Sequence, residues 1–392
     1  MTISTCNHFM PREEPVVFGL KKFWHRLLSR LETQNIRLNG NNPWDPVIHN
    51  PDFYARIAAE GSLGLGESYM DCWWDCERLD EFFNRVLQTN LDDMIGSRLG
   101  LALAHLAARL FNRQTRDRSR EVGERHYDIG NGLYRRMLDK RMTYSCGYWK
   151  DAATLDEAQE AKLDLACRKL RIEPGMRILD IGCGWGGTAA YAAEKYGASV
   201  TGVTVSREQA EMGQHKCRHL PVDIRLMDYR DVDVKEAFDR IISIGMFEHV
   251  GYKNYRTFMK NIRDLLADDG LCLLQTIGGN RTVHDTDPWI NKYIFPNSML
   301  PSLSQIGRAS EGLLIMEDWH NFGPDYEKTL MEWYRNFQSA WDELKSRYDK
   351  RFYRMWTYYL LSCAGSFRAR RNQLWQIVFS VNGLKGGYRA VR

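Results

Sequence analysis

Two short stretches carry residue types that could do chemistry. In LDIGCGWGG, residues 179–187, Gly182, Gly184, Gly186 and Gly187 follow an apolar run and open a helical pattern. Backbone without side chains lets a ligand approach closely at such a loop, and a nucleotide-like ligand belongs there. In SIGMFEHVG, residues 243–251, Glu248 and His249 end a second apolar run. A carboxylate at that place either faces a ligand or caps the helix that follows. His249 reads as a supporting or packing residue.

A dinucleotide fingerprint also wants an acid at the end of the next strand, to hold a ribose. That strand ends in Thr204, Val205 and Ser206, which argues against a nicotinamide cofactor. Many S-adenosylmethionine sites use an acid there as well, so this test alone does not choose between them.

The elements that must position these residues follow from the pattern around them. MRILDIGCGWGG, ASVTGVTVS, VDIRLMD, FDRIISIGMFEHV and GLCLLQTIGG are short apolar strands alternating with helical stretches, and LLIMEDWHNFG and LWQIVFS add two more. The expected fold is α/β, a doubly wound, mostly parallel seven-stranded sheet. Ser206 should cap one connecting helix and Gly270 stop another. Ahead of the sheet, Phe53, Ile57, Leu79, Phe82, Phe83 and Val86 recur at helical spacing, with Gly61, Gly64 and Gly66 as breakers between helices. The expected organisation is a helical domain over 1–115, a linker and basic segment over 116–140, and the sheet domain over 141–392. Within that domain lie a lid-like insertion, 276–310, and a long aromatic helix, 326–360. Leu330, Trp333, Phe337, Trp341, Leu344 and Tyr348 in that helix form either an interior packing stripe or a wall for an acyl chain.

With 392 residues, 44% of them hydrophobic and 27% charged, the chain buries a sizeable core. A net charge of +4 is too mild to announce a nucleic-acid partner. The first residues lack a secretory pattern, and LGLALAHLAARLF is too short and too charged to span a bilayer, so a cytoplasmic protein is expected. Nine scattered cysteines suit reduced thiols. Cys72 and Cys76 should share a helical face, but two ligands without others nearby make a poor zinc site. Arg109, Arg113, Arg116, Arg118, Arg120 and Arg125 are either a docking segment for anionic lipid headgroups or a solvated helix and linker.

Taken in order, EGSLGLGESYMD, HYDIGN, MTYSCGYWKD, the glycine loop, GVTVSREQ, DYRD, GMFEHVG, DPWINKYIFPN, MEDWHNFGPDYEKTL and FRARRNQLWQIVFS resemble the cyclopropane-fatty-acyl-phospholipid synthases, from about Asn50 nearly to the last residue. The resemblance implies an S-adenosylmethionine-dependent methyltransferase sheet preceded by a lipid-handling helical domain. It implies a homodimer, associated peripherally with the inner membrane and acting on unsaturated acyl chains of phospholipids. Family cofactor contacts fall on Tyr144, Ser145, Asp180, Gly182, Gly184, Gly186, Thr204, Gln209 and Tyr229, the last in place of a tryptophan found in mycolic-acid relatives. The implied reaction methylates a double bond, and the resulting cation loses a proton as the ring closes. Its base is a bound bicarbonate, held by residues matching Cys146, Glu248, Tyr326 and the backbone at Ile244 and Ile277. An anion beside Glu248 calls for a protonated carboxyl. Cys363 matches a cysteine sometimes assigned to the family's active site, although the reaction needs no thiol nucleophile. Gln275 stands where the family usually has histidine, and its amide can donate a hydrogen bond but cannot become an imidazolium. Methyl branching without ring closure, methylation of a small amine or alcohol, and non-catalytic binding of cofactor and lipid are the competing outcomes.

Overall fold

Short apolar-rich stretches suit strands covered by helices, and the computed structural model, which describes residues 15–89 and 130–392 apart from 234 and 236, pairs all seven in one sheet. Ahead of it stand helices α1 (Pro15–Thr33), α2 (Phe53–Glu60), α3 (Ser62–Met70) and α4 (Leu79–Gln88), then α5 (Asn131–Met137) and α6 (Leu155–Lys169). The sheet follows as β1 (Arg177–Ile181), helix α7 (Gly187–Tyr196), β2 (Ser199–Thr204), helix α8 (Arg207–Cys217), β3 (Val222–Leu226), β4 (Phe238–Ile244), helix α9 (Tyr255–Leu265) and β5 (Leu266–Gly279). Helices α10 (Pro288–Tyr293) and α11 (Leu303–Ser310), strand β6 (Ile315–Asn321), helices α12 (Pro324–Ser339), α13 (Trp341–Leu344) and α14 (Lys350–Arg368), and strand β7 (Asn372–Ser380) complete it. The order across the sheet is β3-β2-β1-β4-β5-β7-β6, with β7 antiparallel to both neighbours and the other pairs parallel. The strand reversal between β1 and β2 on one side and β4 on the other opens a crevice at their carboxyl ends, where ligands bind in such sheets.

Local signals set the helix starts. Ser206 caps α8, its hydroxyl accepting from Gln209 N at 3.4 Å, and Thr154 with Glu157 forms a complete capping box on α6.

Four expectations are corrected. Gly270 does not stop a helix: α9 ends at Leu265, β5 begins at Leu266, and a register shift between Phe238 and Arg240 accommodates the extra residues. Residues 326–360 are not one helix. The chain breaks after Ser339 and again after Leu344, and Asp349 starts α14 by accepting from Phe352 N at 2.7 Å. Leu330, Trp333, Phe337 and Leu344 are nevertheless buried, because short connections keep the apolar rhythm in phase across the breaks. Gly64 and Gly66 lie inside α3. A Cβ on Gly66 would sit 2.3 Å from Trp289 Cδ1, and one on Gly64 would sit 2.7 Å from Arg56 O, so close packing explains both; Gly61 does separate α2 from α3. Cys72 and Cys76 share no helical face, since α3 ends at Met70 and Trp74–Asp75 pairs with Val47–Ile48.

The early and late helices share one core: α3 and α4 pack on α14, with Trp74, Phe82, Phe83, Tyr358 and Phe367 in a single buried cluster. Arg368 on α14 ties the two together, reaching Asp80 and Glu81 on α4 at 2.8 and 2.9 Å, and Glu327 on α12 at 2.8 Å. The stretch after β5 is fixed to α3, where Trp289 fills the notch at Gly66 and Glu67 accepts from Lys292, Tyr293 and Arg56. The apolar stretch LGLALAHLAARLF and the arginines from 109 to 125 lie outside the described residues.

Candidate active site

The glycine loop turns at the carboxyl end of β1. Gly182 N and Cys183 N both donate to Val203 O on β2, which locks the turn to the sheet. Gly184 has φ +55, and a Cβ built on it meets no protein atom within 4 Å. It faces a cavity of about 1200 Å³. Tyr144, Ser145, Asp180, Gly182, Thr204, Gln209 and Tyr229 line the same cavity. Gly186 does not: it opens α7 with φ +79, and a Cβ there would press within 3.0 Å of Cys217 Sγ, so its part is in the turn.

Where an acid would hold a ribose, Thr204 Oγ1 donates to Gln209 Oε1 at 2.8 Å, which leaves the Gln209 amide group available to donate. Tyr229 begins a short turn after β3, and its ring meets Phe258 edge-on at 5.3 Å, which fixes its plane. Asp180 is buried with one carboxylate oxygen unpartnered; burial pushes its pKa up to about 7, against the opposing pull of Lys162. An orphaned polar atom, a glycine whose Cβ would enter the cavity, and a steady aromatic face together fit a nucleoside ligand.

The other half of the cavity holds the carboxylate. Gly245 turns the chain after β4 with φ +68, and Phe247 stacks on Tyr255 at 4.2 Å, anchoring the turn 247–249. Glu248 Oε1 accepts from Ile277 N at 2.7 Å, while Oε2 is buried without a partner. Burial raises this carboxyl to about 7, partly offset by the Ile277 N–H, its own backbone N–H and the Thr276 hydroxyl. Helix α9 starts after Asn254, so Glu248 is no helix cap. Ile244, Ile277, Tyr326 and Cys363 line the same cavity.

Cys146 and Gln275 stand behind its wall. Cys146 is fully buried, its thiol donating to Gly147 O at 3.1 Å. Gln275 lies opposite Gln376 in the β5–β7 pairing, and its Oε1 accepts from Gln376 Nε2 at 2.9 Å. That cross-strand bond occupies the amide carbonyl and holds the side chain beside Gln376, and Gln275 is not among the residues that line the cavity.

Several lining residues escaped the sequence reading. Tyr144 and Tyr359 share a hydroxyl hydrogen bond of 2.8 Å, and Phe295 meets Tyr359 edge-on at 5.8 Å. His249 also faces the cavity, beside Phe295 at 5.8 Å, and burial lowers it to about 4, so it is neutral. Its position next to Glu248 was the available signal. Leu65, Phe83 and Val86 bring the early helices to the same wall.

The raised carboxyl makes a testable statement about stability. In the unfolded chain Glu248 loses its proton near 4.5, but in the fold only near 7, so the native state holds the extra proton between those values. Its contribution is most favourable below 4.5 and is lost as pH rises to 7, on the order of 3 kcal/mol. Melting temperatures from pH 4.5 to 7.5 should fall less steeply for Glu248→Gln than for the parent chain; parallel curves would contradict the burial argument.

The sheet order is that of the S-adenosylmethionine-dependent methyltransferase fold. Coclaurine N-methyltransferase shares the fold, with a TM-score of 0.68 at 24% identity over 81% of this chain and 98% of that one. Residues 114–377 match the family described as mycolic acid cyclopropane synthetase, and the chain belongs to it as a methyltransferase enzyme. Mycolic acid cyclopropane synthase CmaA1, solved in complex with SAH and CTAB, is 34% identical with a TM-score of 0.62, over 66% of this chain and 97% of that one. The cyclopropane-fatty-acyl-phospholipid synthase of Escherichia coli (strain K12) is 54% identical over 370 residues, 94% of this chain and 96% of that protein.

Proposed function

We propose that this enzyme methylates the double bond of unsaturated acyl chains in membrane phospholipids and closes a cyclopropane ring, with bicarbonate as the base. The observation that carries this reading is the unpartnered Glu248 oxygen in a cavity that runs from the glycine loop to apolar side chains of the early helices. S-adenosylmethionine, when bound, supplies a methyl group on a positively charged sulfur. The Asp180, Thr204–Gln209 and Tyr229 groups would hold it, and Gly184 would leave room for it beside the loop.

Leu65, Phe83 and Val86 suit an acyl chain, which gives the early helices their lipid-handling role. As the alkene takes the methyl, positive charge develops on carbon. The faces of Tyr144, Tyr359 and Phe295 favour that charge, and the apolar wall keeps water from capturing it. Ring closure then needs a proton removed from the new methyl. Bicarbonate, when bound, supplies that basicity; Glu248 through Oε2, Tyr326 and the backbone at Ile244 and Ile277 would hold it. Since Ile277 N–H already donates to Glu248, it would act on the anion only through that carboxyl, whose own proton, with the Tyr326 hydroxyl, is left to donate, in keeping with a pKa of about 7.

Purified protein with unsaturated phospholipid vesicles, S-adenosylmethionine and bicarbonate should yield acyl chains heavier by one CH2 with a cyclopropane proton signature. A branched product of equal mass, or none, would overturn ring closure.

Phospholipid access implies docking on the anionic inner-membrane surface through the arginines from 109 to 125, each worth about 1 kcal/mol near the headgroups, by an enzyme working as a homodimer on the cytoplasmic side. Vesicle sedimentation should weaken with salt and with Arg116→Glu combined with Arg120→Glu. Indifference to both would count against that segment.

A further inference from the structure

Helix α6 lies behind the cavity, yet it turns two fully buried polar side chains toward the cavity wall. Gln159 and Lys162 are three residues apart and so share a face, and both are 0% exposed. Gln159 Nε2 donates to Ser145 O at 2.6 Å, and Lys162 Nζ donates to Ser145 Oγ at 3.0 Å. Ser145 itself faces the cavity. Burying an ammonium is costly unless something opposite compensates it. Three groups lie within electrostatic reach of Lys162: Asp139, the Cys146 thiol and Asp180. Asp139 is already engaged by the backbone of Thr143 and Arg141, at 2.7 and 2.9 Å. Asp180, at the carboxyl end of β1, keeps an oxygen unpartnered.

Around Asp180 itself stand Lys162, from α6, and three thiols: Cys183 from its own loop, Cys167 from α6 and Cys217 from α8. Burial pushes all three thiols up, so they remain neutral. Lys162 is therefore the cation that acts on Asp180 among the described residues.

We propose that Lys162 is a positioning residue for the cofactor, supplying from behind the wall the positive charge that keeps Asp180 an acceptor while orienting the Ser145 hydroxyl. The proposal rests on the reading of Ser145 and Asp180 as cofactor contacts. An ionised Asp180 offers only acceptors to a ligand, whereas a protonated one also presents an O–H donor. Removal of the cation raises the pH at which Asp180 ionises, from a value of about 7.

The test is S-adenosylhomocysteine affinity by titration calorimetry from pH 6 to 9, for the parent chain, Lys162→Met, Lys162→Gln, Lys162→Arg and Asp180→Asn. The parent affinity should rise through a midpoint near neutrality and converge on that of the neutral variants above about 8, the value to which burial lowers Lys162 itself. In Lys162→Met and Lys162→Gln that midpoint should move up by about one unit or more, a tenfold loss of affinity on the acid side, and Lys162→Arg should restore it. Lys162→Gln keeps a donor to Ser145 but no charge, which separates the two contributions. A uniform loss at every pH, an unmoved midpoint, or failure of both neutral variants to fold would assign Lys162 to the architecture and overturn the proposal. If Asp180→Asn keeps the parent affinity and profile, the cofactor reading of Asp180 fails instead.

Discussion

Glu248→Ala should lower turnover by about two to three orders of magnitude, the range for removing a positioned acid–base or donor group, while leaving cofactor affinity within about threefold. The two effects separate because Glu248 faces the half of the cavity beyond the glycine loop, with Oε2 free and Oε1 fixed by Ile277 N. Glutamine keeps an acceptor for that N–H and presents an N–H donor in place of the carboxyl proton, so Glu248→Gln should retain more activity, about a tenth. The pH dependence identifies the proton's owner. If protonated Glu248 anchors an anion, the rate at constant bicarbonate falls as pH rises past its pKa, which a neighbouring anion lifts above about 7, and this limb disappears in Glu248→Gln. A rate that rises with pH through 7 and collapses in Glu248→Gln would mean that the carboxylate takes the proton itself. Alanine also leaves Ile277 N–H unpaired, a cost of about 1 to 3 kcal/mol; melting temperature and calorimetric affinity distinguish that loss from lost chemistry.

Gly184→Val should weaken S-adenosylhomocysteine binding by more than about 100-fold, some 2.7 kcal/mol, with the fold retained. The new side chain has no protein neighbour and so projects into the cavity where a nucleoside would be held. A φ of +55 is itself unfavourable for a branched residue, at about 1 to 2 kcal/mol, which lowers the melting temperature without unfolding the chain. Gly184→Ala should fall between the two. Gly182 provides the contrast, since a Cβ there would stand 2.7 Å from Met246 Cγ and disturb packing. Substitution at Gly182 should cost stability, and at Gly184 affinity. Unchanged calorimetric binding in Gly184→Val would remove the loop from the cofactor site.

Legibility from sequence tracked how local each determinant was. Parallel strands announce themselves as short apolar-rich stretches alternating with helical ones, and Ser206 as a cap needs only its own next turn, so the sheet and its first helices were readable. Gly64 and Gly66 were not, because what they do is set by Arg56 O and by Trp289 from a distant segment. The breaks after Ser339 and Leu344 were hidden by a rhythm that survives them. Glu248 could be narrowed to two roles, and only the distant start of α9, after Asn254, removes the capping one. Gln275 and Cys146 occupy the positions that the resemblance assigns, but the facing of their side chains depends on Gln376 and Gly147.

The shared core of the early and late helices also governs how the chain is made. Arg368 meets Glu81 across 287 residues of sequence, and at a synthesis rate of roughly 5–20 residues per second that interval lasts from about 15 s to a minute. Throughout it, the apolar faces of α2 and α4, with Phe53, Phe82 and Phe83, have emerged from the ribosome before α14 exists to cover them. The nascent helices are thus obliged to wait, exposed to aggregation and to whatever holds unfinished chains in the cell.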